Sequence, residues 1–533
     1  MNDGQTNKHG TTGVSPVVDA PNDGMLVSDP ESLPELAASE TPYSIWSTWH
    51  KRAIVLCASL TAFFSPLTAQ IYLPALPAMA DDLGVSDSKM TLTITTYMIF
   101  QGIVPMFVGS LADSGGRRPA YLVCFVVYIA ANIALALAPN FEALLGIRCV
   151  QSTGSAPTVA LCQAVVADIA TSAERGSYIG YTIIPAVLAP SLGPVLGGVL
   201  SQELGWRSIF WFLATFAGTT CILIALFFPE TCRPIVGDGS ISPPLWDRTL
   251  PQLLRPRRKR VANGQGDTAV KSSQPGREPF KFKPPNVLGS LMMLLELETG
   301  IVLLTSSLVF AGFYALAAAM PSQLTKEYDL TEIQVGLMYL PHAAGSVVAA
   351  GIVGPAINRN YKRHCDRLGI SCDRTRQQDL SNFPIEQARL QVAIPLVTLG
   401  GASLLAWGWS LQALAHIAVP CVMLFVLGIG MIGFSNATNA LLIDLHPGRA
   451  GTAAAANNLS RCLVGAGASA VVVPAIDGIG IGWTFTIAGA LYVVCIPALL
   501  LCMARGPKWR EQLRVKNEQK AEKKRKAKSV MWK

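Results

Sequence analysis

Two arginines stand inside long apolar runs of this chain, Arg148 in Arg148-Cys-Val-Gln151 and Arg461 in Asn457-Asn-Leu-Ser-Arg461-Cys462. An arginine at depth in a bilayer costs at least ~2.5–3.5 kcal/mol, so it faces protein or a wet cavity. Its planar fork donates two parallel hydrogen bonds, which suits a carboxylate. Gln70, Tyr97, Gln151 and Asn458 also lie in apolar runs and complete the candidate substrate-binding set. For each of them, helix-to-helix hydrogen bonding is the competing role. Arg461 lies about ten residues into its run, ~15 Å deep, whereas Arg148 is ~7–10 Å from the nearer end and within snorkelling reach. The acids Asp168, Asp444, Glu296, Glu298 and Asp477 all fall at or beyond run ends. Two cations without an anion favour carboxylates or polar neutral molecules over cationic drugs.

Other chemistry finds little support. The six histidines have no nucleophile-elbow or HExxH context, so neither a catalytic residue nor an enzyme activity is expected, and no cofactor. Nine of the 12 cysteines fall inside apolar runs, where they behave as small hydrophobes. Cys365 and Cys372 are read as lying in a polar loop beside His364, too few ligands for a metal site.

The elements that must position these residues follow from composition. Of 533 residues, 51% are hydrophobic and only 14% charged, and the mean hydropathy is +0.39. An ordinary soluble protein carries roughly 25% charged residues, so a soluble enzyme, a disordered chain and a fibrous protein are set aside. About twelve runs are long enough to span a bilayer core, which takes about 20 apolar residues per helix. They cover 53–73, 91–111, 119–138, 143–167, 178–200 and 207–228, then 300–320, 333–356, 391–411, 417–443, 452–475 and 483–503. The expected fold is an all-α membrane protein of 12 transmembrane helices in two six-helix pseudo-repeats. Its parts are a disordered cytosolic tail at 1–50, bundles at 51–228 and 300–503, a cytosolic linker at 229–299 and a basic tail at 504–533.

Of 42 Lys and Arg residues, only Lys89, Arg207 and Lys326 lie in loops on the side away from the termini, if both termini are cytosolic. Arg148 and Arg461 are within helices, and the other 37 lie in the tails and the loops on the terminal side. That asymmetry places both termini in the cytosol. It also explains the net charge of +8 as a topology signal, so no nucleic-acid partner is expected. The basic run Lys516 to Lys528 suits anionic lipid.

An internal repeat links the halves. Gly109-Ser-Leu-Ala-Asp113-Ser-Gly-Gly-Arg117-Arg118 follows the second run and Gly354-Pro-Ala-Ile-Asn358-Arg-Asn-Tyr-Lys362-Arg363 follows the eighth, with Gly, Asp or Asn and two basic residues in register. Asp168, before Glu174-Arg175-Gly176, is matched by Asp444, before Pro447-Gly448-Arg449. Two repeated six-helix bundles with a site between them describe a secondary transporter. Asp113, Arg117, Arg118 and Asp168 are candidate gating residues, because ions at helix boundaries pair with helix ends and with one another. Their competing role is that of positive-inside anchors. The fifth run packs Pro185, Pro190, Gly193, Pro194, Gly197 and Gly198 into 14 residues. Small residues allow a close crossing and prolines a bend.

These motifs resemble the major facilitator superfamily. Gly109 to Arg118 is similar to its loop between helices 2 and 3, and Arg148-Cys-Val-Gln151 to its fourth-helix arginine motif. Gly193-Pro194-Val-Leu-Gly197-Gly198 resembles the antiporter motif of the drug:proton antiporter branch, with Ala189 where that pattern has Gly. Pro229-Glu230-Thr231-Cys-Arg233, Phe383-Pro-Ile-Glu386-Gln-Ala-Arg389 and Asn457 to Cys462 resemble the fungal subgroup of quinidine-resistance-type and citrate or itaconate exporters. The resemblance implies a plasma-membrane exporter of a small organic molecule, an organic acid anion or secondary metabolite, with protons as an implied coupling partner and membrane lipid as its surroundings. A multidrug efflux antiporter, a vacuolar location and a transporter-like sensor are the alternatives.

Overall fold

The structure is a computed structural model and describes residues 44–170, 172–237, 239, 241, 243, 247–250, 287–369, 383–446 and 450–531. Residues 1–43, the runs Arg255 to Arg260 and Pro284-Pro285, Cys372, and Pro447-Gly448-Arg449 lie outside these.

All regular elements among the described residues are helices. The N-terminal half comprises α1 (Thr48–Gln70), a 3-10 turn (Leu73–Ala75), α2 (Leu76–Asp82), α3 (Asp87–Gly115), α4 (Arg117–Ala136), α5 (Phe141–Ser155), α6 (Pro157–Ile169), α7 (Ser172–Leu204) and α8 (Arg207–Phe227). The short α9 (Arg233–Val236) and α10 (Val287–Leu294) follow. The C-terminal half comprises α11 (Leu297–Tyr328), α12 (Glu332–Leu337), α13 (Tyr339–Leu368), α14 (Ile385–Gln412), α15 (Ala418–Leu445), α16 (Ala450–Ile479) and α17 (Ile481–Met531). Ten helical stretches among the described residues are long and apolar enough to cross a membrane. The run 143–167 is divided between α5 and α6, because Pro157 has no N–H to continue the ladder. Beyond the last apolar run, α17 continues as helix to Met531, as a stretch rich in Lys, Glu and Ala favours.

Burial runs opposite to that of a soluble protein. On α4, Val123, Val126 and Ile133 are exposed, while Tyr121, Cys124, Tyr128 and Asn132 are buried. The apolar face suits lipid and the amide and phenols are reserved for the bundle interior.

The repeat is real but its register differs from the sequence alignment. In the first half, Gly116 at φ +110° ends α3 and starts α4, so Arg117 opens a new helix. In the second half no such break follows Asn358, and Lys362 and Arg363 remain on α13. The equivalent of Arg117 is instead Arg389, near the start of α14. Arg117 Nε donates to Asp168 at 2.9 Å, and Arg389 donates to Asp444 at 3.0 Å through Nε and Nη2. Cys365 is also displaced from expectation: it is buried within α13, because that helix runs on to Leu368.

Arg389 and Asp444 are mostly buried, with side chains 14% and 23% exposed. Removing one partner strands the other charge, at a cost between those of surface and fully buried pairs. Arg389→Ala is therefore expected to destabilise the purified protein by roughly 1–3 kcal/mol, read as a lower melting temperature. Adding Asp444→Asn should recover most of that loss, and failure to recover would show that the arginine acts through packing alone.

Candidate functional site

At the core of the N-terminal half, Arg148 on α5 is 1% exposed. Its guanidinium lies over the rings of Tyr72 and Tyr97, 3.8 and 4.7 Å from their centroids. Nη1 donates to Gln151 Oε1 one helical turn on, Gln151 Nε2 donates to Asn132 Oδ1 at 2.7 Å, and Asn132 Nδ2 to the Tyr128 carbonyl at 2.7 Å. Tyr97 is fixed in turn by Ser65 and Ser155. Arg148, within snorkelling reach by its place in the sequence, stays inside, because the tyrosine faces supply partial negative charge to the cation. Nε and Nη2 have no hydrogen-bond partner among the described residues. Unmatched buried donors are costly, and this pair forms an edge that a carboxylate would fit.

A cavity lies on the other side of these tyrosines, lined by Gln70, Tyr72, Tyr97 and Met98 of the first half and by Tyr314 and Ala317 of the second, among others. Arg148 and Gln151 stand behind this lining. Gln70 Oε1 and the Tyr72 hydroxyl are buried without partners. Arg461 on α16 is only partly buried, donates to Asn458 Oδ1 at 3.1 Å and lies 4.5 Å over the Phe310 ring. Asn458 donates across the two halves to the Gln101 carbonyl at 3.2 Å. Gln70 and Tyr97 therefore share one cavity, Arg148 and Gln151 form its backing, and Arg461 with Asn458 make a separate pair on the facing half. Asn132 was missed at the sequence level, although an amide inside an apolar run was a usable signal.

The gating candidates cluster at the end of the bundle that carries the basic loops. Arg117 binds Asp113 at 2.6 Å and Asp168 at 2.9 Å, and the Asp113 carboxylate is 68% exposed. Arg118 points elsewhere: it donates to Asp247 Oδ1 at 2.9 Å and to the carbonyls of Ala225 and Arg248. It pins the linker to the first half. Burial pushes the Asp247 carboxyl up to about 6, with Arg118 opposing and Glu230 reinforcing that rise. Glu230 accepts from the backbone N–H of Arg117, Arg118, Thr231 and Cys232 at 2.7–3.1 Å. It caps the positive end of α4. A Cβ at Gly116 would stand 2.7 Å from its Oε2, so only glycine fits there.

The antiporter-type motif on α7 touches both halves. An added Cβ at Gly197 would overlap the Ile71 carbonyl oxygen of the first half, and one at Gly193 would stand 3.3 Å from Ile71 N. At Gly198 it would overlap the Glu332 carbonyl oxygen of the second half, and at Gly336 that of Pro194. Gln202 Oε1 accepts from the Ile333 N–H at 3.2 Å, and Lys326 binds Asp87 at 2.6 Å. These contacts join the halves at the end away from the basic loops. In contrast, a Cβ at Gly109 or Gly354 would meet nothing within 4 Å.

The sequence profile of the Major Facilitator Superfamily matches residues 58–470. The chain belongs to the major facilitator superfamily. It is 44% identical over 473 residues to the MFS-type transporter phiD of a fungal species, covering 89% of this chain and 71% of that protein. It is 40% identical to the MFS-type transporter tstD of Talaromyces stipitatus, covering 91% and 88%, and 34% identical to Citrate exporter 1 of Aspergillus niger, covering 91% and 92%. Among solved structures, the human organic anion transporter MFSD10 (TETRAN) superposes with a TM-score of 0.54 at 20% identity, covering 84% of this chain and 99% of that one, which shows the fold. The protein is a multi-pass membrane transporter of small molecules.

Gly198→Ala is expected to force α7 and α12 apart, because the obstacle is a backbone oxygen that cannot rotate away. Overpacking of this kind costs about 1–3 kcal/mol. A cysteine introduced as Ile333→Cys should then react with a membrane-impermeant maleimide about tenfold faster or more, whereas Gly109→Ala should leave the rate unchanged. Equal rates in Gly198→Ala and its parent would remove the motif from this seal.

Proposed function

We propose that the protein exports a small organic acid anion across the plasma membrane by alternating access, with twelve crossings and both termini cytosolic. The observation that carries the substrate class is Arg148, a fully buried cation with two unpartnered donors behind a tyrosine-lined cavity. The twelve-crossing topology is supported by pairing α5 with α6 and counting α7 beside the ten long apolar stretches. Orientation rests on the basic loops. On that orientation, the joined end is outer and the state is cytosol-facing. The unused smallness of Gly109 and Gly354 fits a cytosolic seal that closes around them in the opposite state.

The name of the Aspergillus niger relative supports an organic acid. A second reading, export of a secondary metabolite or xenobiotic, is favoured by the apolar part of the lining, Leu73, Ile94, Met98, Ala317 and Ala318. Arg461 remains a candidate for the substrate on the facing half, since its Nε lacks a partner. Proton coupling has weaker support: no acid is among the cavity-lining residues, and Asp168 and Asp444 are paired to arginines.

Metabolite profiling of medium from a deletion strain and its parent identifies the exported class. Arg148→Lys keeps the charge and loses the fork, so export of a di- or tricarboxylate is expected to fall tenfold or more at unchanged abundance, a loss of about 1.4 kcal/mol or more. Arg461→Lys should weaken it too, and a neutral xenobiotic should tolerate both. Carboxylate export unchanged in Arg148→Lys would transfer the reading to the neutral metabolite. If export is proton-coupled, a protonophore stops it and Asp168→Asn or Asp444→Asn reproduces the loss.

A further inference from the structure

The start of α11 carries two acids that face different neighbours. Glu296 turns to α15, where its carboxylate lies 3.6 Å from His446 Nε2. Glu298 turns towards α14 and α17. There Glu386, in the first turn of α14, is completely buried. A Cβ added at Gly506 of α17 would stand 2.8 Å from Glu386 Cγ and 3.0 Å from Glu298 Oε1, so both acids press on one point of that helix. The two carboxyl groups thus converge on the same point, with Glu386 Oε1 and Oε2 and Glu298 Oε1 all buried.

Among the described residues, one cation reaches this cluster. Arg510 Nη1 lies 3.6 Å from Glu386 Oε1, and its Nη2 donates to the Phe383 carbonyl at 2.9 Å. Apart from the Glu386 backbone amide nearby, no donor among the described residues reaches either Glu386 oxygen or Glu298 Oε1. The thiol of Cys502 is the other titratable group facing the pair from α17, and Arg389 on α14 is engaged with Asp444. Two ionised carboxylates and one guanidinium would leave a net negative charge in a buried site. One proton makes the set neutral and turns an acid–acid collision into an O–H···O⁻ hydrogen bond. In the equivalent region of the first half, Glu230 is met instead by four backbone amides.

We propose that Glu298 and Glu386 bind one proton between them, and that this proton fastens the starts of α11 and α14 to α17. The proton comes from water at the basic end of the bundle and returns there when the pH rises. α11 also carries Tyr314 and Ala317 of the cavity and Lys326 of the far-end contact. Loss of the proton therefore loosens the foot of a helix that both the cavity and the seal depend on, which makes the pH at the basic end a control on transport.

The test uses the full-length protein in detergent. Dicyclohexylcarbodiimide, which attacks protonated buried carboxyls, should modify Glu298 or Glu386 at about pH 6 and progressively less towards about pH 9, as mapped by peptide mass spectrometry. The folded protein holds a proton here that the unfolded chain has already lost above about pH 5. Stability is therefore lost as pH rises, by up to tenfold per pH unit in the folded-to-unfolded ratio until the site empties. The melting temperature of the wild type should fall across that window. Glu298→Gln, whose amide donates permanently, should flatten the profile. Absence of modification at both residues overturns the assignment, as do parallel profiles for wild type and Glu298→Gln. If Glu298→Gln does not fold, the labelling of the wild type decides.

Discussion

A charge held away from water must be matched, and most of what distinguishes this bundle from a generic set of apolar helices follows from how each charge is matched. Arg148 is satisfied in part by two tyrosine faces and one glutamine, and the remainder of its donor edge is left open. The tyrosines that hold it are also cavity walls. Cation and cavity therefore share the Tyr72 and Tyr97 rings.

The two halves answer the same problem with different side chains. Each places an arginine near the start of one helix, α4 or α14, against an aspartate near the end of another, α6 or α15: Arg117 with Asp168 and Arg389 with Asp444. Beside that shared pair they diverge. The first half brings an acid from the end of α8 to cap α4, whereas the second puts an acid on α14 itself and sets it against Glu298 and Arg510. Backbone amides are fixed donors, whereas two carboxyls can bond to each other only through a proton.

Glycine supplies the second means of joining the halves. Carbonyl oxygens of Glu332 and Pro194 occupy the places where side chains would stand on Gly198 and Gly336. Backbone approach of this kind gives dispersion and polar contact without a hydrophobic driving force, which lipid does not provide.

The sequence by itself determined the membrane character and the family, because these depend on local sums: 20-residue apolar runs, loop charge and short motifs. It also singled out Arg117, Asp168 and the α7 glycines as candidates. Tertiary structure decided what each one touches. Nothing local distinguishes a snorkelling Arg148 from one stacked between Tyr72 and Tyr97, since those rings arrive from α3 and from the turn after α1. The repeat register was misread for a similar reason: Lys362 matches Arg117 in spacing, but one glycine with positive φ decides whether a new helix begins. Glu298 and Glu386 lie 88 residues apart in sequence and look like ordinary first-turn acids, each favourable at a helix start on its own. Only the packing of α11, α14 and α17 around Gly506 turns two such acids into a pair, because a carboxylate's energy is set by its neighbours in space.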